Sequence, residues 1–173
     1  LKGHEDFIRA ASILNREIPN LKCLIVGSSP KEKHKEDLEL LARRLGLQRM
    51  IEFLDATGDV PSTMAKLDVL VSATVTPEAF GRVIIEAQAS GVPVVATKVG
   101  GVVDIIEDGR TGLLCAPLDP KDMADKVLKL YKDRELGARL AIAARTRVEE
   151  NYDLDKMMKR TIAVYEETLK ITN

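Results

Sequence analysis

The apolar period of this chain switches repeatedly between helix-like and strand-like, and that alternation limits its fold more than any other feature. Residues 5–17 carry a helical pattern, and 22–26 (KCLIV) read as a buried strand stopped by Gly27-Ser28-Ser29-Pro30. Residues 32–45 form a charged amphipathic helix closed by Gly46. A strand follows at 50–54 (MIEFL), then a short helix at 61–66 with proline in its first turn. Residues 67–72 (LDVLVS) read as the next strand, 73–80 as a loop, and 81–90 as a helix. Further strands are expected at 93–97 and 112–115. Asp119 and Pro120 have the chemistry of an N-cap and first helical position, opening a helix to about residue 132. Two more helical runs, about 135–150 and 155–169, complete the chain.

Near-continuous apolar strands alternating with helices predict an α/β domain: a doubly wound parallel sheet, Rossmann-like, covered on both faces. At 173 residues, with no internal repeat or linker, residues 1–173 read as a single domain. Ligands of such sheets sit beyond the carboxyl ends of the strands. The candidate loops are therefore 27–30, 54–60, 73–81 and 98–103. The chain opens directly into a helix, whereas a doubly wound domain usually begins with a strand. The expectation is a domain lacking its first strand.

Composition removes several functions. A net charge of −1 argues against nucleic-acid binding, and 3% aromatics with no Trp leave no stacking platform for single strands. Cys23 and Cys115 sit in apolar strand-like runs, outside metal or redox spacings, which favours a reducing, cytoplasmic setting. His4 and His34 stand apart from the cysteines, so no metal site is expected. No apolar run reaches transmembrane length, and Leu1-Lys2-Gly3-His4 does not read as a signal sequence.

The chemistry concentrates between residues 78 and 101. Glu78 precedes the turn Phe80-Gly81, and Glu86 lies five residues into the helix that Gly81 opens. Between them is a helix N-terminus, whose free N–H groups seat an anion. Glu78 could grip vicinal sugar hydroxyls, or simply complement the helix dipole. Glu86 could face a ligand, or pair with Arg82 at i, i+4. The helix rises roughly 7–8 Å from Gly81 to Glu86, at about 1.5 Å per residue, so the two carboxylates could straddle a diphosphate. Gly27 and Ser28 belong to another loop at a strand end, and Gly100 and Gly101 are a turn or a close approach to phosphate.

Glu78 and Glu86, with seven residues between them, resemble the E-x7-E signature of retaining GT-B glycosyltransferases, in particular family 4. The likeness continues through EAQASGVPVVAT (residues 86–97), GGVVDII (100–106), GRTGLL (109–114) and PLDP (117–120). Lys2-Gly3-His4 resembles the segment opening the first helix of that family's C-terminal domain, and Tyr165-Glu166-Glu167 resembles its closing helix. The resemblance covers nearly the whole chain. It implies the C-terminal, donor-binding half of a GT-B fold, without the N-terminal acceptor domain.

It also implies roles. Glu78 would hold the donor sugar at the reacting centre, and Glu86 the ribose hydroxyls. Backbone N–H groups of Phe80, Gly81 and Arg82 would meet the sugar or diphosphate, and Gly100-Gly101 would approach the phosphates. Lys2 would stabilise the leaving diphosphate; without the resemblance it reads as a solvated terminal lysine. The donor would be a nucleotide-diphosphate sugar, with no cofactor and no metal. The acceptor would bind the absent domain, which would also carry any membrane contact. Two departures stand out: the family's arginine upstream of the lysine falls outside this chain, and Asp104 and Arg82 replace the Glu and apolar residue common there. Alternatives are a GT-B nucleotide-sugar epimerase, a glycogen-synthase-like enzyme, or a non-catalytic nucleotide-binding module. No G-x-G-x-x-G or Walker run occurs. Asp153-Leu154-Asp155 spells a D-x-D but directly precedes a helix, where capping is the plainer role. The charge runs after Pro120 read as solvated faces, with one apolar stripe against the sheet or a partner domain.

Overall fold

The strands come from the most apolar stretches. β4 (Val94–Thr97) and β5 (Leu113–Cys115) are buried along their whole lengths, as strands covered on both faces must be. The structure, a computed structural model, describes residues 2–27, 32–56, 58–77 and 80–171. In chain order the other elements are α1 (His4–Leu14), β1 (Cys23–Val26), α2 (Glu32–Arg44), β2 (Ile51–Leu54), α3 (Val60–Met64), β3 (Leu70–Ser72) and α4 (Arg82–Ala89). After β4 comes α5 (Val102–Ile105), and after β5 come α6 (Pro120–Lys132), α7 (Arg134–Asn151) and α8 (Leu154–Ile171).

Among the described residues all strand pairs are parallel, as the alternating pattern predicts, but the strands fall into two sheets. β1 pairs with β2, and β3, β4 and β5 follow one another in the second sheet. Among the described residues three apolar clusters cover them. One joins α1 and α2 to the β1–β2 sheet through Ile8, Ala11, Cys23, Leu38, Leu47 and Ile51. A second packs Ala10 and Leu14 of α1 with α6 against Val95 and Leu113. The third covers the opposite face with Ile84, Ala87, Val102 and Ile105 around Val94 and Ala96.

The helix starts follow their capping chemistry. Asp119 accepts from the Asp122 amide at 2.9 Å with Pro120 at the first helical position, and Asp133 accepts from the Leu136 amide at 2.8 Å. Two expectations change. β3 begins at Leu70 rather than 67, because exposed Asp68 turns outward to Arg134 at 3.3 Å. The apolar stripe of α8 does not reach the sheet: Leu154, Met158, Ile162, Tyr165 and Leu169 are exposed. Among the described residues no helix is long and apolar enough to cross a membrane.

Candidate functional site

The start of α4 is fixed by Gly81, whose left-handed φ of +57° few side chains accept. A Cβ there would also come within 3.3 Å of the Ile84 and Ile105 side chains, so the turn lies tight on α5. Phe80, just before it, is 54% exposed and meets Tyr152 edge-on at 6.1 Å between ring centroids. Glu78 and Ala79 lie outside the described residues. Along the helix, Glu86 Oε1 stands 3.5 Å from Arg82 Nη2, with the Arg82 side chain 82% exposed. An i, i+4 pair this open contributes only about 0.2–0.5 kcal/mol, so a ligand could separate it at small cost.

Neighbouring strand ends form the rest of the rim. The buried Thr97 hydroxyl, at the end of β4, donates to the Thr74 carbonyl, and the Ser72 carbonyl lies 3.4 Å away. This ties the carboxyl end of β4 to that of β3. Gly100 and Gly101 then turn the chain into α5, with the Val102 amide bonded to the Val99 carbonyl at 3.2 Å. α5 is held from below by Arg147 of α7. Its Nη2 donates to the Asp104 carbonyl at 3.0 Å, its Nε to the Ile105 carbonyl at 3.3 Å, and its Nη1 to the Glu107 carboxylate.

Lys2 reaches the same rim through its neighbour. Gly3 packs so closely on Ala73, just past β3, that a Cβ would lie 1.8 Å from the Ala73 carbonyl oxygen. Exposed Lys2 is therefore carried to the β3 end. Gly27 ends β1 on the smaller sheet, its amide bonded to the Leu54 carbonyl at 3.0 Å. Ser28 lies outside the described residues. Lys2, Gly81, Gly100 and Gly101 thus share the carboxyl ends of β3 and β4, while Gly27 belongs to the neighbouring sheet.

Several rim residues carried no signal in the sequence. The rings of His4, at the start of α1, and His34, on α2, lie 5.8 Å apart although 30 positions separate them. Burial, and after it the nearby His34 and Lys2, hold His4 below its ordinary pKa. Arg147 and Thr97 are likewise visible only through contacts distant in sequence. Among the described residues no three His, Cys, Asp or Glu side chains gather as a metal site. The D-x-D run caps α8, Asp153 accepting from the Lys156 amide at 3.1 Å.

Comparison with known proteins identifies what this rim belongs to. The family model described as "Glycosyl transferases group 1" matches residues 1–147. N-acetyl-alpha-D-glucosaminyl L-malate synthase of Bacillus anthracis is 30% identical over 170 residues, 98% of this chain and 43% of that protein. Anabaena HepE, solved in complex with UDP, is 28% identical with a TM-score of 0.91, over 96% of this chain and 45% of its own. The C-terminal domain of the group 1 glycosyl transferase LpcC from Francisella tularensis is 31% identical with a TM-score of 0.80, over 88% of this chain and 80% of its own. The chain spans less than half the length of the first two. On this match, the chain belongs to the glycosyl transferases group 1 family and has the Rossmann-like fold of their GT-B C-terminal domain.

Proposed function

We propose that this chain is the donor-binding part of a retaining, family 4-like glycosyltransferase that moves a hexosyl group from a nucleotide-diphosphate sugar to an acceptor. The observation that carries this reading is the common rim: Lys2, the α4 N-terminus at Gly81 and the Gly100-Gly101 turn all sit at the ends of β3 and β4. A cation beside a helix N-terminus stabilises the charge that develops on a departing diphosphate, without a metal. Glu86 then turns from Arg82 to the ribose hydroxyls, and Glu78 holds the sugar at the reacting centre. Phe80 and Arg82 frame the seat, and Gly27-Ser28 approach the donor from the neighbouring sheet. The HepE complexes with UDP and UDP-glucose make a uridine donor the first to test. The acceptor side belongs to a separate N-terminal domain, so the isolated 173 residues bind donor weakly and transfer no sugar. A cytoplasmic setting fits its two buried, unpaired cysteines.

Calorimetric titration of residues 1–173 with UDP, GDP and ADP tests the site. One nucleotide should bind, and Glu86→Ala should weaken it roughly ten-fold, the equivalent of about 1.4 kcal/mol. Binding indifferent to Glu86→Ala would leave that carboxylate as the partner of Arg82 alone. No binding of any nucleotide would favour a module without catalysis. In the complete enzyme, Glu78→Ala should lower turnover far more than nucleotide affinity; equal losses would remove it from the reacting centre. Interconversion of UDP-sugars without an acceptor would indicate an epimerase instead.

A further inference from the structure

One end of α7 touches both sides of the donor seat. Arg147 donates from Nε to the Ile105 carbonyl at 3.3 Å, from Nη2 to the Asp104 carbonyl at 3.0 Å, and from Nη1 to the Glu107 carboxylate. Five positions later Tyr152, the C-cap of α7, meets the ring of Phe80 at 6.1 Å between centroids. At about 1.5 Å per residue, the two points of contact stand roughly 7–8 Å apart along the helix. The two sides also meet each other, since a Cβ on Gly81 would lie 3.3 Å from the Ile105 side chain. The first turn of α4 therefore rests on the residue whose carbonyl Arg147 holds. A second route leads back to α4 from the same arginine. The Glu107 amide donates to the Thr111 hydroxyl at 2.9 Å, and the Thr111 carbonyl accepts from Nε2 of buried Gln88 at 3.1 Å. Gln88 lies near the far end of α4, so the contacts form a closed ring through both ends of that helix.

We propose that Arg147 and Tyr152 are positioning residues for the donor: together they set the gap between Gly81 and the Gly100-Gly101 turn, and with it the preference for a nucleoside diphosphate over a monophosphate. This role rests on the donor-binding reading given above. A diphosphate that touches both sides needs the gap at one width, whereas a monophosphate touches one side. Neither side is stiff by itself. Phe80 is 54% exposed, and the four residues of α5 are far below the length at which a helix holds itself. The support beneath them is firm, because Ala144 and Val148 of α7 are buried and α7 packs along α4. The plainer role for Arg147 is to cap the last carbonyls of α5. Capping accounts for the bonds to Asp104 and Ile105. It does not account for Tyr152 reaching Phe80 from the same helix end, or for the return of the contacts to α4 through Gln88. A cap alone would lower stability and leave the choice between nucleotides unchanged.

Calorimetric titration of this chain with UDP, GDP and ADP, and then with the monophosphate matching whichever binds, tests the role. Arg147→Ala should lower diphosphate affinity roughly ten-fold and monophosphate affinity less than about two-fold. Arg147→Lys should recover only part of the diphosphate loss, because an ammonium cannot fork onto two carbonyls and a carboxylate. Tyr152→Leu should lower the ratio of diphosphate to monophosphate affinity about three-fold, and Tyr152→Phe, which keeps the ring, should preserve it. An unchanged ratio in Arg147→Ala or in Tyr152→Leu would overturn that residue's assignment while leaving the donor site in place. No binding of any nucleotide by the unsubstituted chain would instead remove the donor-site reading, and the assignment with it. Should Arg147→Ala fail to fold, the same ratio in Arg147→Lys and Tyr152→Leu decides.

Discussion

Gly3 joins α1 to the end of β3 because it has no side chain. A Cβ would lie 1.8 Å from the Ala73 carbonyl oxygen, at a φ of +67°. Gly91 has a similar φ of +74° with nothing within 4 Å of its would-be Cβ. Gly91→Ala should therefore cost only backbone strain, about 1–2 kcal/mol, whereas Gly3→Ala adds a clash with backbone and should cost about 3 kcal/mol or more. Urea denaturation of both variants measures the difference; equal losses would mean the Gly3 contact is not tight in solution. His4, the next residue, sets a pH dependence. Its folded pKa lies below its ordinary 6.5, chiefly through burial, with His34 and Lys2 adding positive charge nearby. Between the lowered value and about 6.5 the unfolded chain binds more protons at this position, so stability falls as pH drops through that window. Above the window the contribution of His4 is flat. His4→Gln should make the slope of unfolding free energy shallower between about pH 7 and 5, and an unchanged slope would remove His4 as its source.

At the scale of elements, α5 depends on a residue far along the chain. Its four residues are too few for a helical period to register, and the sequence offers no reason to close a helix there. The Arg147 guanidinium supplies one by forking onto the Asp104 and Ile105 carbonyls and the Glu107 carboxylate. Arg147→Ala should cost about 1–2 kcal/mol, partial exposure reducing the ion-pair share, and Arg147→Lys should recover only part because an ammonium cannot fork. Full recovery with lysine, read by urea denaturation, would show that charge alone matters. The same contrast separates what was legible in the sequence from what was not. α6 could be placed from Asp119-Pro120 because caps act within three residues. Gly81, Arg82 and Glu86 could be placed for the same local reason. The contacts of Gly3 with Ala73, Phe80 with Tyr152 and His4 with His34 depend on how distant segments meet, which no local pattern encodes.

For the molecule as a whole, the strand alternation announces a parallel α/β domain but not its division into two sheets. β1 and β3 read as buried strands because their residues are apolar, and which strands pair with which leaves no mark on them. The division makes the two halves unequal. The β3–β5 sheet is covered on both faces by two clusters, while β1 and β2 rest on one cluster shared by α1 and α2. The half with fewer buried contacts should open at lower free energy. Two cysteines report on this separately, since Cys23 belongs to the smaller half and Cys115 to the larger. Burial pushes the Cys23 thiol up to about 11 and is also the largest influence raising Cys115 to about 12. Both thiols are therefore protonated and covered at about pH 8, and alkylation waits for local opening. Cys23 should be modified by iodoacetamide at least about ten-fold faster than Cys115, the ratio expected for about 1.4 kcal/mol between the two openings. Peptide mass spectrometry reads both rates in one sample. Equal rates would mean that the halves unfold as one cooperative unit, with α1 coupling them more strongly than their separate cores imply.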